Sequence, residues 1–336
     1  MPTKDELRLL QAYPLNLKVW KTQQRLREWV NYFGVDGVYV SFSGGKDSTV
    51  LLHIARKLFP EIEAVFVNTG LEYPEIQKFV KSFDNIKILH PKMRFDEVIK
   101  KYGYPLISKE VSECVSQGKI ALTSNKYPYR LQQLMGTAVD KQGRKSLYNK
   151  EKYKPLLFTD FNISHMCCNV MKKKPVHEYG KLSHKVPITA QMTDESRLRK
   201  RQWLKNGCNG FNMKSPISNP MSFWTEQDVL HYIYENQIEI APVYGKVIFE
   251  NGKYFTTGCK RTGCIFCMFG AHCRDDDRFL RLKETHPVQY NYCMGGGSYD
   301  GGVWKPTKEG LGMRHVIEEV HKLYGKDFIK ISEEQK

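Results

Sequence analysis

A parallel, twisted β-sheet with flanking helices, an α/β plan, is what this 336-residue sequence predicts. Three observations predict it. Short β-rich runs alternate with helix-patterned stretches, a glycine-lysine loop stands where one such run meets one such stretch, and the chain is long enough to bury a large core. Hydrophobic residues make up 41% and charged residues 26% of the chain, an ordinary globular composition. No apolar run reaches the roughly 18 residues of a membrane span. The opening MPTKDELRLLQAYPLN lacks the basic-then-apolar plan of a secretory signal, so a cytoplasmic protein with no membrane partner is expected.

Residues 1–35 read as a helical lead-in, because Leu26, Trp29, Val30 and Phe33 recur at the spacing of one helix face. Residues 36–245 carry the alternation: β-rich 37–42, 63–67 and 86–89, with helix-patterned 48–58, 74–83 and 95–102 between and after them. Alternation of this kind predicts parallel strands joined by crossover helices. From about 109 to 160 the pattern weakens and Lys141, Arg144, Lys145, Lys150, Lys152 and Lys154 crowd together, so a basic insertion or mobile loop is expected. A strand over 185–190 returns to the sheet, and Thr225-Glu226-Gln227-Asp228 opens a helix to about Glu235 with a capping-box pattern. Residues 246–336 form a cysteine-rich C-terminal segment. Within it, Met294 to Gly302 is glycine-rich enough to predict a flexible loop before a last helix over 313–324.

The loop Ser43-Gly44-Gly45-Lys46-Asp47-Ser48 follows the run Val38–Phe42 and opens the helix-patterned stretch. Glycines at a strand-to-helix turn let backbone N–H groups face an anion, the helix start adds positive potential, and Lys46 adds a full charge. Ser43 and Ser48 offer hydroxyls. Asp47, a carboxylate in an anion site, points to a Mg2+ ion or a loop-orienting role. Lys46 is expected as an exposed anion ligand, and Lys46, Asp47 and Ser48 as the catalytic candidates. The Walker A spacing is absent.

This loop resembles the SGGKDS loop of PP-loop enzymes, which act at the α-phosphate of nucleotides and release pyrophosphate from ATP. Further segments resemble the phosphoadenosine phosphosulfate (PAPS) reductase family: Asn68-Thr69-Gly70-Leu71-Glu72-Tyr73-Pro74-Glu75, Cys167-Cys168 through Pro175, Thr193-Asp194-Glu195-Ser196-Arg197, and Pro216 through Val229 with Trp224-Thr225-Glu226-Gln227-Asp228. The resemblance implies an adenine nucleotide alpha hydrolase-like fold. It further implies that ATP or a sulfonucleotide is held by Ser41, Ser43, Gly44, Gly45, Lys46, Asp47, Ser48, Thr69, Gly70, Glu72, Glu195, Ser196 and Arg197. Departures from the family pattern are Asn68 for aspartate, Met171 for arginine, and Ala190 and Met192 for a glycine and an arginine. The E-C-G-x-H tail of sulfonucleotide reductases, whose cysteine attacks sulfur, is missing; the last cysteine is Cys293.

Cys264-Ile265-Phe266-Cys267 forms a C-x-x-C hook flanked by Cys259 and Cys273, with Cys167 and Cys168 far upstream. Such thiols suit zinc or an iron-sulfur cluster. The family resemblance implies a 4Fe-4S cluster, either on a Cys-Cys pair plus C-x-x-C, as in adenylylsulfate reductases, or on an upstream cysteine plus C-x-x-C-x5-C, as in the ATP-pyrophosphatase component of DNA phosphorothioation systems. Cys167, Cys168, Cys264, Cys267 and Cys273 are therefore the metal candidates, and Cys114 and Cys208 ordinary thiols. Lys172, Lys173 and Lys174 favour thiolate beside the pair.

A formal charge of +16 points to phosphate-rich partners. Arg197, Arg199, Lys200, Arg201 and Lys205 around Trp203 suggest a nucleic-acid groove with a stacking platform, or else a solvated helix face. The leading expectation is an ATP-dependent sulfur transfer to nucleic acid supplied by a cysteine desulfurase. The alternatives are a reductase of adenylylsulfate or PAPS using thioredoxin, and a non-enzymatic nucleotide- and nucleic-acid-binding iron-sulfur module.

Overall fold

The computed structural model describes residues 2–326 and 328–331. The chain divides into two compact units, Met1–Asn68 with Glu72–Pro91 and Lys174–Gly263, and Thr69–Leu71 with Lys92–Lys173 and Cys264–Lys336. Among the described residues no helix is long and apolar enough to cross a membrane.

In the first unit, helices Lys4–Ala12 and Leu15–Phe33 form the lead-in. Thr3 starts the former with a complete capping box. The latter buries Leu26, Trp29 and Val30, with Phe33 half-buried at the stripe's end. This helix is pinned to the helix Glu226–Glu235 by Lys18, whose Nζ lies 2.7 Å from Asp228 Oδ2, and Trp224 Nε1 donates to Thr22 Oγ1 at 2.9 Å. The expected capping box at Thr225 is present, with Asp228 N donating to the Thr225 side chain.

Six strands make the unit's sheet, in the order Ile86–Leu89, Ala64–Val67, Val38–Ser41, Val186–Ile188, Ile217–Ser218, Asn209–Gly210. Every pairing is parallel except that of the last two strands. This is the predicted α/β sheet. Val38, Tyr39 and Val40 are at most 1% exposed, as an apolar run in the middle of a covered sheet must be. Val40 pairs with Ala64 on one side and Ile188 on the other. The chain thus winds outward on both sides of Val38–Ser41, which puts a crevice at the carboxyl end of that strand, the place where doubly wound sheets receive ligands.

The second unit contains the stretch expected as a basic insertion or a mobile loop. Of the two expectations the loop is corrected: the stretch is largely helical, with helices Lys109–Thr123 and Pro128–Met135 and a 3-10 turn over Glu151–Phe158. Ser108 caps the first of these by accepting from Val111 N, and Val111, Cys114, Val115 and Gly118 bury one face. Gly118 lets the neighbours pack close: a Cβ would stand 2.6 Å from Leu134 Cδ1 and 2.9 Å from Leu157 Cδ2, so those leucines would have to shift to admit one. The charged residues masked this face, because they occupy the positions between its small and apolar members.

The glycine-rich stretch also corrects the expectation. Ser298–Asp300 and Val303–Lys305 pair antiparallel, Asp300 facing Val303, across the two-residue turn Gly301-Gly302 with φ of 61° and 76°. Two positive φ values in a two-residue loop are the geometry that matches strand twist, and glycine supplies them without strain. Asp160 anchors this hairpin. Its carbonyl accepts from Trp304 N at 2.7 Å, and its Oδ2 meets Tyr299 Oη at 2.6 Å and His315 Nε2 at 2.9 Å. Helix Met313–Tyr324 closes the unit as predicted.

Candidate functional sites

The phosphate loop leaves strand Val38–Ser41 and enters helix Lys46–Leu58 in the first unit. Gly44 has φ of +68°, and a Cβ there would lie 2.8 Å from both Ile76 and Val80 side chains, so glycine is obligatory. Gly45 is the helix N-cap without a side-chain cap, so a side chain does not take up the first-turn N–H groups that can face an anion, although the Lys46 backbone is engaged by Tyr244. Ser43 and Ser48 brace the turn. Ser48 Oγ accepts from Ser43 N at 3.1 Å, donates to Gly45 O at 2.9 Å and lies 3.0 Å from Ser43 Oγ.

Lys46 departs from the exposed ligand the sequence predicts. It is 4% exposed; its Nζ donates to Glu226 Oε1 at 2.6 Å and to the Lys260 carbonyl at 2.5 Å, and stands 5.8 Å from the Tyr244 ring centroid. The helix beginning turns the side chain inward, and burial of an ammonium demands acceptors of this kind. Tyr244 in turn shares a hydrogen bond of 2.5 Å with Thr262 Oγ1. Asp47 Oδ1 is buried without a hydrogen-bond partner. Burial raises the Asp47 carboxyl above its ordinary range, opposed by the charge of Lys46 and reinforced by Glu226, with Arg261 and Arg199 lowering it further down the order. An orphaned, desolvated carboxylate oxygen fits a divalent cation.

Ser41 ends its strand half-buried, paired with Val65. Glu72 is 8% exposed in the same unit. Glu195 pairs with Arg199 and its Oε2 accepts from Met192 N at 3.1 Å. Ser196 caps helix Arg197–Asn206 by accepting from Arg199 N. Arg197 is exposed, whereas Arg199 feels Asp47. Trp203 is 4% exposed, which removes it as a stacking platform. Thr69 and Gly70 fall in the second unit, where Thr69 Oγ1 accepts from Leu71 N at 3.2 Å and Gly70 has φ of +73°. Sequence reasoning missed Glu226, Arg199, Arg261 and Tyr244 as neighbours of Lys46 and Asp47. The motif Trp224–Val229 marked the segment of Glu226, but only the fold brings its carboxylate to Lys46, 180 residues away in sequence.

The second unit holds the thiols. Cys167 is pushed up by its hydrogen bond with Cys168, then by burial and by the charges of Cys264 and Cys267. Cys168 is drawn down by the same hydrogen bond and, against its burial, by Lys109 and Lys172. Burial raises Cys267, whose electrostatic neighbours include Arg278, Cys168 and Lys172. Four thiols therefore share one neighbourhood. The C-x-x-C turn is tied by Cys267 N to Cys264 O at 3.0 Å, Ile265 N to Leu71 O at 2.8 Å and Arg278 Nη1 to Cys267 O at 2.7 Å. Beyond it Met268–Phe269 pairs with Leu106–Ile107, and Ile107 has φ of +64°, a position that costs a β-branched residue roughly 1–2 kcal/mol. Cys273 is exposed and absent from these interactions, its N–H donating to Gly270 O at 2.9 Å. Cys259 lies buried in the first unit.

Among the described residues no three Cys, His, Asp or Glu groups are placed to grip a single ion. A four-iron cubane spreads its thiolates more widely than one ion does, and four soft donors with Lys109 and Lys172 at hand fit an anionic thiolate cluster. Cys114 and Cys208 are buried, near Gln133 Oε1 and Ser222 Oγ respectively, as ordinary thiols. Cys293 is wholly buried 3.3 Å from Met313 Sδ, and burial pushes its thiol far up.

The model of the phosphoadenosine phosphosulfate reductase domain matches residues 37–137 and 123–268. The chain belongs to this family. The PAPS reductase domain accordingly spans the sheet, the phosphate loop and the C-x-x-C hook, and identifies a PP-loop, nucleotide-binding chain. An uncharacterised protein of Methanocaldococcus jannaschii is 26% identical over 86% of this chain and 53% of its own length. Sulfate adenylyltransferase subunit 2 of a Marinomonas species is 28% identical over 62% of this chain and 60% of its own. The matches thus span less than two thirds of these relatives. A PAPS reductase structure from Candida auris in complex with phosphate aligns over 72% of this chain and 91% of that one, at 15% identity and a TM-score of 0.38.

Proposed function

We propose that the protein is an ATP pyrophosphatase that activates an acceptor for sulfur transfer, that the acceptor is nucleic acid, and that Cys167, Cys168, Cys264 and Cys267 hold a 4Fe-4S cluster. The observation that carries the choice of reaction is Cys293. Cys293, the last cysteine of the chain, is fully buried with its ionisation disfavoured, which counts against it as the thiol that attacks sulfur and favours chemistry at the phosphate loop. Support for ATP as substrate comes from relatives named for sulfate adenylylation. Support for a polyanionic acceptor comes from the +16 charge.

Loop N–H groups and Lys46 bind the nucleotide phosphates, and Asp47 would hold Mg2+ through its orphaned oxygen. An acceptor oxygen attacks the α-phosphorus; the bond from that phosphorus to the pyrophosphate breaks, its electron pair leaving with pyrophosphate. Lys46 and the positive end of helix Lys46–Leu58 offset the charge that develops there. A thiol reductant cleaves the S–S bond of a cysteine desulfurase's persulfide, becoming a disulfide and releasing hydrosulfide, whose sulfur bonds to the activated atom of the acceptor as AMP departs with the acceptor oxygen. A cluster held by Cys167, Cys168, Cys264 and Cys267 would supply thiophilic iron in the second unit, and Lys109 and Lys172 there offset thiolate charge.

A second reading is supported by the same thiols: with Cys273 outside the neighbourhood, they match the Cys-Cys plus C-x-x-C scheme of adenylylsulfate reductases, which make sulfite with thioredoxin as reductant. One assay separates the two. Anaerobically purified protein is incubated with ATP and nucleic acid, or with adenylylsulfate or PAPS and reduced thioredoxin, and pyrophosphate and sulfite are measured. Pyrophosphate without sulfite is the expected result; sulfite overturns it in favour of reduction, and neither product overturns both in favour of a non-enzymatic module.

A further inference from the structure

Glu226 has no part in the reaction just described, yet it holds the loop's lysine. The Lys46 ammonium has two close acceptors, the Glu226 carboxylate at 2.6 Å and the Lys260 carbonyl at 2.5 Å. The two partners of the ion pair differ in freedom, because the Lys46 side chain is 5% exposed and that of Glu226 is 42% exposed. Glu226 is also the first residue of its helix, where the positive end of the helix stabilises a carboxylate with or without Lys46. The carboxylate can therefore turn to water at little cost, while the buried lysine cannot leave.

The charges around the loop strengthen the point. Lys46, Arg199 and Arg261 act on Asp47 together with Glu226, and Arg199 is paired with Glu195. Three cations thus stand against three carboxylates. An anion site balanced in this way attracts a bare polyanion weakly, unless a carboxylate steps aside or a cation arrives with the ligand.

We infer that Glu226 is the counter-ion that keeps Lys46 until a polyphosphate displaces it, and that it thereby makes the loop favour a magnesium-complexed nucleotide over a metal-free one. This rests on the phosphate-loop reading above. Magnesium offsets two of the nucleotide's charges, so its complex loses less to the neighbouring carboxylates than metal-free ATP does.

Titration calorimetry with ATP, in Mg2+ and separately in EDTA, tests this on the full chain. Wild-type protein should bind the magnesium complex the more tightly. Glu226→Gln keeps the shape and an acceptor for Lys46 while removing the charge. It should bind metal-free ATP on the order of tenfold more tightly, with little change for the complex, so that the ratio of the two affinities collapses. Glu226→Ala is measured alongside, and the ratio from whichever variant melts like wild type decides. A ratio unchanged from wild type, or a weaker grip on metal-free ATP, overturns the inference. Lys46→Ala is the separate control: undiminished affinity for both forms sinks the phosphate-loop reading itself, whereas weak binding by Lys46→Ala beside an unchanged Glu226→Gln ratio sinks only the role of Glu226.

Discussion

At the scale of single residues, Lys46 and Cys293 bear opposite burdens although both are buried. Lys46 is satisfied by Glu226 and the Lys260 carbonyl, so its removal leaves those acceptors to a half-exposed neighbourhood rather than opening the core. Lys46→Ala is expected to lower ATP affinity about tenfold to a hundredfold, the worth of one charge-assisted contact to phosphate. Its circular dichroism and melting curve should stay close to wild type. Cys293 sits in the core against Met313. Cys293→Ala should cost stability, roughly 0.5–3 kcal/mol by denaturant titration, while pyrophosphate release per folded molecule is unchanged. Sulfite formation from adenylylsulfate or PAPS by wild type that Cys293→Ala abolishes at full stability would mark Cys293 as a catalytic thiol and reinstate sulfonucleotide reduction. The sequence named Lys46 from its loop, but its burial and its partner were illegible, because Glu226 and Lys260 approach only through tertiary folding. Arg199 shows the same limit: motif matching selected Arg197, and the approach of Arg199 to Asp47 emerges only in the fold.

At the scale of elements, legibility followed periodicity. Ile86–Leu89, Phe95–Tyr102 and Met313–Tyr324 lie where the alternation and the helical stripe put them, since burial of one face or one run determines such elements. Two stretches were misread where composition obscured the pattern. The helix Lys109–Thr123 packs through Gly118 and short side chains with polar and charged residues of both signs between them, and the hairpin Ser298–Lys305 uses glycines as its turn rather than as slack. The hairpin reading is testable. Gly302 has φ of +76°, so Gly302→Val should destabilise the turn by roughly 1–2 kcal/mol, and hydrogen exchange should quicken at Trp304 N–H, which donates to Asp160 O. Exchange at Trp304 equal to wild type would contradict the paired hairpin and restore the mobile loop.

At the scale of the whole molecule, the sequence carries two chemistries, and the fold gathers each within one compact unit: the nucleotide loop with its ring of charges in the first, the four thiols in the second. Sequence spacing left Cys167, Cys168, Cys264, Cys267 and Cys273, with Cys259 in reserve, competing for four positions. Cys167, Cys168, Cys264 and Cys267 share one electrostatic neighbourhood and Cys273 is exposed outside it, which is why the proposed cluster takes the first four. The measurement that tests this account most directly is the iron content and visible spectrum of protein made and purified without oxygen, compared among wild type, Cys264→Ser and Cys273→Ser. Wild type should carry about four irons per chain with a broad band at about 400 nm. Cys273→Ser should keep both, and Cys264→Ser should lose both, since a serine oxygen is a poor ligand where soft thiolate is needed. Colourless wild-type protein with one stoichiometric zinc, or iron lost with Cys273 and kept without Cys264, would contradict it.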